Sequence, residues 1–131
     1  MRDKNRDPKR LEDILEAIDN VFLYVGKDDM QTIVSDKMRY HAIVYNIMII
    51  GEAANMLTEE FRNTHPITPW RQITGMRNFL IHGYHQVETD LVWEVIDKDL
   101  HILRPQIAEY TAPSASASLW CSSFSACLAS S

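Results

Sequence analysis

The run Ile43-Val44-Tyr45-Asn46-Ile47-Met48-Ile49-Ile50 leaves this chain few folds to choose from. It lies inside a helical pattern, and at about 3.6 residues per turn it is apolar on nearly every side. A helix that is apolar all round has to be covered all round. A chain of 131 residues is of ordinary size for one domain and too short for two comfortable ones. The sequence therefore predicts a helix packed against its own core and against a second copy of the chain.

The flanking segments read as helices too. Asp7-Pro8 opens the first, with Asp7 as N-cap and proline in the first turn. Leu11, Ile14, Leu15, Ile18, Phe22 and Val25 then mark one apolar face, and Gly26 stops it. A short helical turn fits Met30 to Val34. Ser35 can cap the central helix, which the pattern carries to about Arg62. Thr68-Pro69 is a second cap-plus-proline start, with Trp70, Ile73, Met76 and Leu80 inward and Gly83 at the end. Gly75 within that helix points to a close helix contact, because glycine there costs about 1 kcal/mol relative to alanine. Thr89 caps a last helix with Leu91, Val92, Val95, Ile96, Leu100, Leu103 and Ile107 inward, and Pro105 should kink or shorten it. No stretch alternates with period two. The expectation is an all-α, homodimeric bundle of four main helices plus a short helical turn, over residues 1–111.

Beyond Tyr110 the composition changes. Residues 112–131 carry no charge and are dominated by serine and alanine, with Leu119, Trp120, Phe124 and Leu128 scattered among them. Such a segment buries too little apolar surface to offset its ordering entropy, so it reads as a disordered tail or a reading-frame scar. It is also too polar to span a membrane. The charged start, with no apolar run behind it, does not read as a secretory signal, which points to the cytoplasm. Both cysteines, Cys121 and Cys127, fall in the tail, so neither a disulfide framework nor a zinc site is expected. The net charge of -5 argues against broad adhesion to nucleic acid but leaves room for a local basic cleft.

Polar residues that break the apolar pattern gather in Arg77-Asn78-Phe79-Leu80-Ile81-His82-Gly83-Tyr84-His85. Arg77 offers a planar, permanently charged fork for a phosphate. His82 can give or take a proton near neutral pH. Together they suit phosphodiester chemistry without a metal. The histidine would activate a ribose 2′-hydroxyl or protonate the leaving oxygen, and the arginine would stabilise charge on the phosphoryl group. Positions five apart on a regular helix point about 140° away from each other. Either the helix ends or bends before His82, or the site is assembled from two subunits across a two-fold axis. On spacing alone the cluster is a weak signal, since arginine and histidine near a helix end are often cations complementing its C-terminus.

The run Arg77-x4-His82-x-Tyr84 resembles the Arg-x4-His-x-Tyr signature of HepT-like toxins, a branch of the HEPN ribonuclease superfamily. Ile49-Ile50-Gly51-Glu52-Ala53, Pro69-Trp70-Arg71-Gln72-Ile73-Thr74-Gly75-Met76-Arg77-Asn78 and Val92-Trp93-Glu94-Val95-Ile96-Asp97-Lys98-Asp99-Leu100 are similar to further family segments, in the same order. The resemblance covers about residues 7–110. It implies a HEPN-like helical homodimer with a composite cleft, acting as a metal-independent endoribonuclease toxin on tRNA or mRNA, with no cofactor. It also implies a cognate MntA-like minimal nucleotidyltransferase antitoxin, joined in a larger hetero-oligomer, that transfers AMP to the motif tyrosine in a type II toxin–antitoxin system. Carried over, Arg77 and His82 are the catalytic pair, Tyr84 is the modification site, and Asn78 orients Arg77 or the phosphate.

Other residues have plainer readings beside the functional ones. Glu52 lies in an apolar stretch, where it would hold Arg77 or His82, or would simply be exposed beside Gly51. His82 and His85 lack a convincing third metal ligand. His41, His65 and His101 read as surface or helix-end histidines, and Met30, Met38, Met48, Met56 and Met76 as core filler. Trp70 and Trp93 read as core anchors rather than stacking platforms. The basic start, Arg2, Lys4, Arg6, Lys9 and Arg10, reads as a solvated charge run before an RNA contact. Two functions compete with the nuclease: a non-catalytic dimeric module that docks the nucleotidyltransferase, and a nucleotide-binding helical domain.

Overall fold

The computed structural model describes residues 4–82 and 89–111, with the backbone alone for Lys4 and positions 78–82. Among the described residues all regular structure is helical. Helix α1 spans Asp7–Val25, α2 Met30–Ser35, α3 Lys37–Met56, α4 Glu59–Thr64, α5 Trp70–His82, α6 Thr89–Glu94 and α7 Leu100–Thr111. A 3-10 turn, Lys4–Arg6, leads into α1, and a π-helical stretch, Val95–Asp99, fuses α6 to α7. The four long helices expected are α1, α3, α5 and this fused rod, with α2 as the short turn. None of the described helices is long and apolar enough to cross a membrane.

Helix α3 is the hub, packed along both α1 and α5, while α7 lies against α1. Ile14, Ile18, Ile43, Ile47, Ile50 and Ile107 are fully buried between them, each worth roughly 1.5–3 kcal/mol of apolar burial. Asn46 is buried on the same face without penalty. Its amide donates to the Ala42 carbonyl at 2.8 Å and accepts from Asn20 at 3.2 Å. Arg39 closes the far end of α1, donating to the carbonyls of Tyr24 and Val25 at 2.6 and 2.7 Å and pairing with Asp28 at 2.7 Å. Gly26 ends α1 at φ 58°, a left-handed angle that favours glycine.

The helix ends differ from the sequence reading in instructive ways. Asp7 is the first residue of α1 and not its cap. Its buried carboxylate instead accepts from the Thr58 backbone N–H at 3.1 Å and the Thr58 hydroxyl at 2.6 Å. Thr58 in turn caps α4, accepting from the Phe61 N–H at 3.2 Å. This relay breaks the central helix at Met56, short of the expected Arg62. Asp36, not Ser35, caps α3 through the Arg39 N–H, since the Ser35 hydroxyl donates back to Thr32. Thr68 is buried and bonds across to Gln106 and Tyr110 at 2.9 and 2.7 Å, tying the start of α5 to α7. Thr89 is the first helical residue of α6 instead of its cap. Pro105 does not end α7, because Leu103 and Ile107 are buried on either side of it and packing outweighs the missing backbone bond.

Two burial expectations also change. Leu91 is 42% exposed, and Met38, read as core, is 85% exposed. Within one chain the central run is not covered all round, since Tyr45 stands 62% exposed while Met48 and Ile49 are partly buried. Residues 112–131, read as a tail, lie outside the described residues.

Candidate functional site

The site begins with a glycine. A Cβ on Gly51 of α3 would stand 2.7 Å from Arg77 Cβ, 3.0 Å from Arg77 N and 3.1 Å from the Ile73 carbonyl. Two helix backbones approach this closely only where one side chain is missing, so Gly51 brings α3 against α5 at Arg77 itself. At Gly75 no close contact of this kind is found among the described residues, where nothing lies within 4 Å of the place its Cβ would take. Among the described residues the close approach is at Gly51 and not at Gly75. Gly51 stood within the Ile49–Ala53 segment, between a buried isoleucine and a carboxylate, and that was the available signal.

Glu52 follows Gly51 and reaches Arg77, whose Nε donates to Glu52 Oε2 in an ion pair. The side chains are 49% and 33% exposed. An exposed pair of this kind contributes little to stability, typically about 0–1 kcal/mol. Its consequence is orientation, since a guanidinium held along its Nε edge keeps one plane and one direction. The start of α5 is fixed as firmly. Trp70 is buried and donates from Nε1 to the His65 carbonyl at 2.9 Å. His65 stacks on Phe61 with ring centres 4.0 Å apart, and Tyr110 closes the cluster edge-on.

The backbone of α5 stays α-helical through His82. Of the two routes open from sequence, a helix ending before His82 is therefore excluded. In one chain the positions of Arg77 and His82 point about 140° apart around the helix axis. The side chains of Asn78 and His82, and the whole of Tyr84 and His85, lie outside the described residues.

A family model, Ribonuclease HepT-like, matches residues 14–110. The chain belongs to the HepT-like ribonuclease family. It is 32% identical over 103 residues to "Putative RNase MJ1380" of Methanocaldococcus jannaschii, a match covering 78% of this chain and 94% of the relative. It is 37% identical over 99 residues to "Putative RNase TTE0752" of Caldanaerobacter subterraneus, covering 76% and 88%. It is 33% identical over 94 residues to "Probable ribonuclease HepT" of Thermococcus cleftensis, covering 72% and 86%. No solved structure matches the chain.

The HepT-like match runs from the second turn of α1 to the end of α7, so it takes in Glu52, Arg77, Asn78, His82 and Tyr84. Among the described residues no three histidine, cysteine, aspartate or glutamate side chains are grouped to hold a metal ion. His41, His65 and His101 serve packing and surface contacts. His101 stacks on Phe22 at 4.6 Å, for example. Lys9, of the basic start, pairs with Asp13 one turn on at 3.2 Å.

Proposed function

We propose that this chain is the metal-independent endoribonuclease toxin of a type II toxin–antitoxin pair. The observation that carries the reading is the Arg77–Glu52 pair, set at the closest approach of α3 and α5 on the helix that also carries His82. Glu52 takes the Nε edge of Arg77, and the terminal nitrogens are what the guanidinium offers to a phosphoryl oxygen. His82 removes the proton from a ribose 2′-hydroxyl, and that oxygen attacks the adjacent phosphorus. The bond to the 5′-oxygen breaks, a proton returns to that oxygen, and the products end in a 2′,3′-cyclic phosphate and a 5′-hydroxyl. Arg77 stabilises the charge that builds on the phosphoryl oxygens.

The unbroken α5 makes a second copy of the chain part of the proposal. Met38, Tyr45 and Glu52 recur every seven residues on α3, a drift of only about 20° per step. The exposed apolar stripe of α3 therefore leads to the Glu52–Arg77 pair. A homodimer packed through that stripe sets Arg77 of one copy near His82 of the other. A cognate MntA-like nucleotidyltransferase, held with the dimer in a larger complex, silences it. The Tyr84 oxygen displaces pyrophosphate from ATP, and the attached AMP phosphate occupies the place of the RNA backbone.

The test is cleavage of tRNA and mRNA by the purified chain in EDTA, beside His82→Ala and Arg77→Ala. Wild type should cut, and each variant should lose about 100-fold or more, the scale of general acid–base catalysis. Equal activity in all three, or activity only with added metal, overturns the proposal. Inactivity of all three, with AMP still transferred to Tyr84 on co-expression, favours the docking module instead.

A further inference from the structure

A second basic cluster lies away from the Glu52–Arg77 pair, between α4 and α5. A cleft of about 780 Å³ opens between α4 and the first turns of α5, lined by Glu59, Arg62, Asn63, Arg71, Thr74 and Gly75 among others. Arg62 Nε and Thr74 Oγ1 are buried atoms with no hydrogen-bond partner among the described residues. Both atoms are closed to solvent, so a ligand in the cleft would meet instead the exposed Arg71 and Asn63 and the charge of Arg62. The two arginines outweigh Glu59, the carboxylate of this lining, and leave the cleft positive within a chain of net charge -5. Among the described residues nothing lies within 4 Å of a Cβ at Gly75, which lets a bulky chain approach the helix backbone.

Position matters as much as charge. On α5, positions 71, 75, 78 and 82 follow the four-three-four spacing of one helix face. The cleft and position 82 thus share a face, and 75 and 82 are about 10 Å apart along the axis. We infer that this cleft is a phosphate-binding subsite for the RNA backbone, set beside the scissile linkage and not on it. Arg62 and Arg71 supply the positive charge and Asn63 an amide donor. The inference rests on the ribonuclease reading and adds to it where the flanking substrate lies.

The experiment compares a long oligoribonucleotide with a dinucleotide as substrates of the full chain, free of antitoxin. A subsite away from the reacting bond predicts that Arg62→Gln with Arg71→Gln lowers kcat/KM on the long substrate about tenfold and leaves the dinucleotide unchanged. The salt dependence on the long substrate should flatten by about 0.7 in log–log slope for each phosphate no longer neutralised. Gly75→Glu is the second variant, because a Cβ there meets nothing within 4 Å among the described residues. It should reproduce the selective loss, and Gly75→Gln, which adds the same bulk without the charge, should lose less. Unchanged cleavage of both substrates overturns the inference, and so does an equal loss on both. Variants that keep RNA cleavage but no longer bind the antitoxin also overturn it, assigning the cleft to a protein partner. Wild type cutting neither substrate refutes the ribonuclease reading instead. Binding of the same end-labelled RNA to the same variants, followed by anisotropy, then decides the cleft separately.

Discussion

Replacing Gly51 and Gly75 by alanine, one at a time, should move stability in opposite directions, although both glycines are helical. At Gly51 the new methyl meets Arg77 Cβ at 2.7 Å and Arg77 N at 3.0 Å, so α3 and α5 must separate or bend. Overpacking of this kind costs about 1–3 kcal/mol. Alanine returns up to about 1 kcal/mol through its better helix propensity, which leaves a net loss of roughly 0–2 kcal/mol. At Gly75 the methyl meets nothing within 4 Å among the described residues, so only the propensity gain of up to about 1 kcal/mol is expected. The two variants should differ by about 1–3 kcal/mol, which at roughly 4–8 °C per kcal/mol is a melting difference of several degrees to about 20 °C. Circular dichroism melts at one fixed protein concentration measure it, because association would otherwise shift the midpoints. The Gly51→Ala chain should also cut RNA more slowly, since Arg77 rides on the displaced helix. A Gly51→Ala chain as stable as Gly75→Ala would refute the close approach of α3 and α5 on which the site is built.

Further outcomes follow from single interactions. Asp7→Ala strands the Thr58 N–H and hydroxyl in a buried place and should cost about 1–3 kcal/mol in urea denaturation. Glu52→Gln should change stability by less than about 1 kcal/mol, because the pair is half-exposed, yet lower the rate of RNA cleavage. Wild-type cleavage by that variant would mean that Arg77 needs no holding. The Asp29 carboxyl is held below its ordinary value chiefly by its hydrogen bond with Thr32. The folded chain therefore binds this proton less tightly than the unfolded one. The cap is at full strength above the ordinary carboxylate range and fades as the pH falls through the lowered value. Exchange of the Thr32 amide, corrected for its intrinsic rate, should report looser protection of α2 in acid, and Asp29→Asn should remove that pH dependence.

The long helices were legible because each repeats an apolar residue every three or four positions against a common core, as Ile14, Ile18, Ile43, Ile47 and Ile50 do. What the sequence hid is what depends on distant partners. Asp7-Pro8 looks like a cap, and only the fold shows that its carboxylate serves Thr58, fifty-one residues away. Gly51 and Gly75 are equivalent as letters, and only packing separates the one that touches α5 from the one that meets no neighbour among the described residues. The break after Met56 was readable, since Thr58 before Glu59 and Glu60 is a cap followed by an acidic first turn. The apolar run upstream masked it. The π-helical stretch at Val95–Asp99 leaves no mark in composition at all. At the site, sequence offered Glu52 as a partner for either Arg77 or His82, and the fold pairs it with Arg77. The Arg62–Thr74 cleft was not seen, because its residues come from two helices joined by a turn.

The central claim is that the guanidinium and the imidazole of one working site come from different copies of the chain. Mixed dimers test it, purified by two different tags after co-expression of Arg77→Ala with His82→Ala. Each such dimer contains one arginine and one histidine on opposite chains. If sites are shared, one of its two sites is intact and it should cut RNA at about half the wild-type rate, although either homodimer is inert. A mixed dimer as inert as its parents would place both groups in one chain and contradict the account.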